Sequence, residues 1–176
     1  SRDISTELDT MGAQYNAFTG QEYTGYYAKS DTKHFKNIFD VVSDIYLNST
    51  FPEAEMQKEK GVIIEEINMY EDQPMRHVQD LIMEVMYGDQ PAGWSIAGPI
   101  ENIKKMKRDD FVKYKKEQYV PKATTVIIAG GVKEKDMMNE VKKAFGSLKN
   151  DKKTGKIKTI EKQSAPQALI KHKVTD

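Results

Sequence analysis

The chain has 176 residues, enough for one domain with its own core, and its 27 basic and 27 acidic residues cancel. That balance gives no general field toward nucleic acid or an anionic membrane, so neither is expected as a partner. The absence of cysteine excludes disulfides and thiolate metal sites, and there is no apolar run of about 18 residues to span a bilayer.

In chain order, residues 1–11 read as the last turns of a helix, with Ile4, Leu8 and Met11 at helical spacing and Gly12 as a stop. The helix has no lead-in, the first residues are polar and there is no initiator methionine. The chain is therefore expected to start inside a longer gene. No leader is legible, and with no cysteine the expected location is cytoplasmic. Residues 13–19 and 22–29, rich in Tyr, Phe and Thr and separated by Gly20-Gln21, predict a β-hairpin. Phe35, Ile38, Phe39, Val42, Ile45 and Tyr46 predict a helix over 31–48. Pro52 opens another helix, to about Tyr70, and Pro74 a third, with Val78, Leu81, Ile82, Val85 and Met86 as its apolar set. A Gly/Pro loop over 88–99 holds the one tryptophan, Trp94. Short helices are expected over 100–106 and 108–119. The β-branched run Thr124–Ala129 predicts a buried strand, ended by Gly130-Gly131. Residues 133–145 are amphipathic, and Gly146 stops them.

The order implies an α+β fold of two layers, with helices packed on one face of a largely antiparallel sheet. Residues 1–148 form one domain in this reading. Residues 149–166, rich in Lys, Thr, Gly and Ser, read as an exposed linker. Residues 167–176 read as a strand leading toward a following segment.

Two segments are candidates for chemistry. Glu59 and Glu66 lie seven positions apart, hence on one helical face two turns apart. Val62, Ile63 and Met69 near that face are expected to draw it inward. A carboxylate drawn inward needs a partner, either a metal ion or a basic side chain; ordinary helix-surface carboxylates are instead solvated. The second candidate is Gly12–Thr19, an extended stretch whose edge groups can pair with a peptide, or which is simply an ordinary strand. His34, His77 and His172 form no metal-binding spacing, and His34 and His77 read as helix-surface residues; no His-x-x-Glu-His is present.

Taken in order, several pieces resemble the insulinase/pitrilysin family of zinc metallopeptidases, the inverzincins, most closely its bacterial processing-peptidase-like members. They are Gly12-x-x-x-Asn16-Ala17-x-Thr19, Glu22-x-Thr24-x-Tyr26-Tyr27, Glu59-Lys60-x-Val62-Ile63-x-Glu65-Glu66-Ile67-x-Met69 with Asp72-x-Pro74, Gly93-x-x-Ile96-x-Gly98, Tyr119-x-Pro121 and the strand ending at Gly130. The likeness covers roughly residues 1–146 and implies a LuxS/mitochondrial-processing-peptidase-like domain. It implies that Glu66 is the downstream zinc ligand and that Glu59 supports the site. It further implies that Asn16, Ala17, Phe18 and Thr19 form the strand onto which a peptide substrate adds.

In the family the other two ligands and the general base belong to a His-x-x-Glu-His helix, expected here before Ser1. Residues 1–148 are then a partial catalytic-type peptidase domain. The chain alone is expected to hold no tight zinc and to be inactive, with its open sheet edge prone to pairing with another copy. A second, similar half or subunit is the expected partner. Three functions follow: part of a zinc endopeptidase acting on peptides or unfolded polypeptides, a non-catalytic partner or substrate-binding subunit of the same family, and a self-sufficient peptide-binding module.

Overall fold

The computed structural model describes residues 2–148, 152 and 154–172. Among these residues the fold is α+β: seven α-helices, short 3-10 turns and one two-stranded antiparallel sheet. The chain divides into two compact units, Ser1–Phe51 with Phe111–Thr154, and Pro52–Asp110 with Gly155–Asp176.

The first unit opens with α1 (Arg2–Thr10), which buries Leu8. Gly12, at φ +60, turns the chain out of it, and the Ala13 N–H returns to the Leu8 carbonyl. Strands β1 (Gln14–Thr19) and β2 (Thr24–Lys29) pair in the register Gln14↔Lys29 through Thr19↔Thr24. Phe18 stands opposite Gly25, and its ring lies where a Cβ on Gly25 would be, so the glycine makes room for the aromatic. The Asp31 carboxylate accepts the Lys33 N–H at 2.9 Å and starts the 3-10 turn that leads into α2 (Phe35–Leu47). That bond holds the Asp31 carboxyl below its usual range. Helix α2 buries Phe35 and Val41 and packs on β2 and on α7 (Glu134–Phe145), where Phe39 and Tyr46 meet the Phe145 ring.

The second unit is built on α3 (Glu53–Glu71), α4 (Pro74–Tyr87) and α5 (Ile100–Lys105). Pro74 sits at the start of α4, where its missing N–H costs nothing. Helix α3 packs on α4 and α5, and its buried residues Met56 and Ile67 share the core with Ile103. Arg76 lies 4.0 Å over the Tyr70 ring at the α3–α4 turn. Helix α6 (Arg108–Gln118) leads back into the first unit.

The helices and the hairpin follow the sequence expectation to within a few residues. The run Thr124–Ala129 does not become a buried strand. It starts extended at Thr124 but joins no ladder among the described residues, and Ile127 is 84% exposed. Its β-branched composition favours extension, but burial requires a neighbouring strand, and none lies beside it among the described residues. The expected strand over 167–176 likewise shows no ladder through His172, and its last four residues lie outside the described part.

Candidate functional site

Glu59 and Glu66 occupy one face of α3 together with Val62 and Met69, as their spacing requires. That face does not turn inward. Both carboxylates are exposed, Val62 is 51% exposed and Met69 45%, whereas Ile67, about a quarter-turn around the helix from Glu66, is 8% exposed. The sequence expectation that Val62, Ile63 and Met69 would draw the face into the interior does not hold: Ile63 turns partly inward, but Val62 and Met69 stay in the open. The core-facing row is Met56, Lys60, Ile63 and Ile67, with the Lys60 ammonium donating to the Lys104 carbonyl at the end of α5. Among the described residues neither Glu59 nor Glu66 has a side-chain hydrogen bond or ion pair, and no three His, Asp or Glu side chains gather into a metal-binding group. As a donor set these residues fit one ligand position of a zinc ion and not a whole site, since catalytic zinc takes three protein ligands and a water. Helix α4 also leaves apolar residues in the open, at Met75, Val78, Ile82 and Met86.

The hairpin supplies the second candidate. All six residues of β1 are exposed. The Gly20 N–H donates across the turn to the Tyr23 carbonyl, so amides of even-numbered β1 residues point toward β2 and odd-numbered ones away from it. The free edge therefore presents the main-chain groups of Tyr15, Ala17 and Thr19. One edge donor is already used, because the Asn16 Oδ1 accepts the Ala17 N–H at 2.8 Å. Phe18 is half exposed on the face away from α2, with its ring against Tyr23 and Tyr27. Asn16, Ala17, Phe18 and Thr19 thus lie together on β1, whose outer edge pairs with no other strand among the described residues, and Glu59 and Glu66 lie in the other unit.

Sequence reasoning missed a tyrosine network in the first unit. The Tyr26 and Tyr119 hydroxyls are 3.0 Å apart, Tyr46 stacks at 4.8 Å on Tyr119, and the Tyr46 hydroxyl meets the Thr124 Oγ1 at 2.6 Å. Burial raises the pKa of both Tyr46 and Tyr119, and the hydrogen bond with Tyr26 adds to the rise at Tyr119. Beside it, a groove of 390 Å³ is lined by Leu47, Phe51, Val112, Lys115 and Tyr119. The Lys115 ammonium donates to the Leu47 carbonyl at 2.8 Å, satisfying the C-terminus of α2. Burial lowers its pKa, and nearby Asp44 opposes the shift. The signal available in sequence was only Tyr119-x-Pro121, which carries no information about which tyrosine it would meet.

Comparison with known proteins agrees with the fold and the motifs. Residues 1–100 match the family model described as insulinase (peptidase family M16), and residues 105–175 match the model described as peptidase M16 inactive domain. An uncharacterized zinc protease of Bacillus subtilis is 39% identical over 147 residues, covering 84% of this chain and 36% of that protein. The human mitochondrial-processing peptidase subunit beta is 36% identical over 144 residues, covering 82% of this chain and 29% of that one. A protease from Helicobacter pylori shares the fold at a TM-score of 0.80 with 22% identity, over 91% of this chain and 39% of its own. The chain thus spans about a third of the length of the curated relatives it matches. With more than half of its residues matched by the insulinase model and two peptidase relatives aligned along most of it, the chain belongs to the insulinase (M16) family.

Proposed function

We propose that this chain forms part of a zinc-dependent metalloendopeptidase that hydrolyses peptides or unfolded polypeptide segments. The observation that carries the reading is the face of α3 on which, among the described residues, Glu59 and Glu66 stand unpaired beside exposed Val62 and Met69, in a chain of this family. An apolar face of this kind calls for a protein cover, and a covered carboxylate calls for a cation. Glu66 is assigned as a zinc ligand and Glu59 as the acid that supports the site. The remaining ligands and the general base come from residues outside these 176, so the chain by itself is inactive and holds zinc weakly. Zinc, when bound, polarises a carbonyl and lowers the pKa of its water.

Substrate binding is assigned to Asn16, Ala17, Phe18 and Thr19. A peptide would add along the free β1 edge through the main-chain groups of Tyr15, Ala17 and Thr19, with the Ala17 N–H handed over from the Asn16 side chain. This mode selects extended, unfolded segments over folded ones, because it uses main-chain groups that folded substrates have already paired. A second half or subunit of the same family is the proposed partner, in keeping with the subunit named among the relatives. The match of residues 105–175 to an inactive-domain model favours a second reading, a non-catalytic, substrate-gripping role.

Hydrolysis of an unstructured reporter peptide by the full-length protein separates the two. The peptidase reading expects activity that Glu66→Gln abolishes. A full-length protein that binds the reporter but never cleaves it would establish the non-catalytic role.

A further inference from the structure

The corner that follows α4 carries a feature that the peptidase reading does not use. The Gln90 carboxamide is bonded on both sides to one distant residue. Its Nε2 donates to the Ile160 carbonyl at 2.9 Å, and its Oε1 accepts the Ile160 N–H at 2.8 Å. This is the pair of bonds that a neighbouring strand would make to Ile160, supplied here by a side chain. The second Nε2 hydrogen goes to the Tyr87 carbonyl at 2.6 Å, which fixes the amide plane and its orientation.

The corner is held firmly by its own contacts. The Gln90 N–H donates to the Gly88 carbonyl, and its carbonyl accepts the Gly93 N–H. Gly88 has φ +64, and a Cβ at Gly93 would run into the Gly88 carbonyl oxygen, so both positions suit only glycine. The Trp94 indole N–H donates to Asp89 at 2.8 Å. Gln90 is thus placed with its amide fixed, while Ile160 lies in a segment with no helix or ladder bonds among the described residues and is 60% exposed.

We propose that this corner is a docking site for an extended main chain, occupied in cis by Ile160. The recognition is of the peptide unit and not of the isoleucine side chain, so Ile160 is strapped to the α4 corner through its main chain. The proposal stands apart from the zinc and peptidase assignments.

Hydrogen exchange of peptides covering 155–165, measured in the full-length protein, tests it. The Ile160 amide should exchange more slowly than in a free peptide of the same sequence, by roughly five- to tenfold. Gln90→Met should abolish that protection while the α4 amides stay protected, and Ile160→Ala should preserve it. Gln90→Glu keeps the side-chain length but sets a carboxylate against the Ile160 carbonyl. It should release the segment too, and gives a second reading if Gln90→Met unsettles α4. Lys171→Met, which removes the 2.8 Å contact to His77, should leave Ile160 protected. The proposal is overturned if Ile160 exchanges at the free-peptide rate in the unaltered protein, if protection survives both Gln90 variants, or if Ile160→Ala abolishes it.

Discussion

The two units dispose of their polar and apolar groups in opposite ways. In the first, aromatic and hydroxyl groups are turned on one another: Tyr26 bonds Tyr119, Tyr46 bonds Thr124, and Lys115 caps α2. In the second, the long faces of α3 and α4 leave Val62, Met69, Met75 and Ile82 in the open, and two glutamates stand beside the first pair without partners among the described residues. The contrast separates residues that serve the fold from residues available to something else. A group already consumed by internal contacts changes stability when it is altered. A group left open changes stability little and acts through what it binds.

The largest effect expected from that contrast lies within α3. Ile67→Ala on the buried side should cost about 2–5 kcal/mol, while Val62→Ala should stay within about 0.5 kcal/mol, both read by urea unfolding. Equal costs would show that the Glu66 face is covered by this chain after all. Gly93→Ala comes next, at about 1–3 kcal/mol, because the added methyl meets a backbone carbonyl that has nowhere to move. In the tyrosine network, Tyr119→Phe removes one bond of the Tyr26 pair and should cost about 0.5–1.5 kcal/mol.

The same network sets a pH dependence. The folded-state pKa values of Tyr46 and Tyr119 lie above the ordinary value of 10.0. The unfolded chain therefore loses these protons first. Their contribution is fully present below pH 10.0 and is lost as the pH rises through the folded values. Lys115, lowered from 10.5, acts in the opposite sense as the pH approaches that value from below. The expected outcome is a fall in stability above about pH 10 that is shallower in a Tyr46→Phe, Tyr119→Phe double variant. An identical fall in both proteins would remove these residues from the explanation.

Much of the fold was legible in local patterns. Gly12, Pro74 and Gly146 punctuate the helices, and the Tyr- and Thr-rich segments on either side of Gly20-Gln21 form the hairpin. The orientation of α3 was not. Val62, Ile63, Ile64, Ile67 and Met69 surround that helix on nearly every side, so periodicity names no single buried face, and only packing against α4 and α5 selects the Ile67 side. The run Thr124–Ala129 read as a buried strand but is neither paired nor buried among the described residues, because a strand's burial depends on its neighbours. The Gln90–Ile160 bonds join residues 70 positions apart, and a glutamine at a loop gives no sign of which main chain it will meet. The site residues came from motif resemblance, which gives identity and order but not exposure. Their setting on two different units required the coordinates.

The most direct test of the central claim is the zinc content of the full-length protein beside its Glu66→Gln variant. The account predicts about one zinc per chain in the unaltered protein, from a site of three protein ligands and a water, and its loss in the variant. Full zinc retained in Glu66→Gln, or no zinc in the unaltered protein, would contradict the assignment of the open α3 face to a metal site.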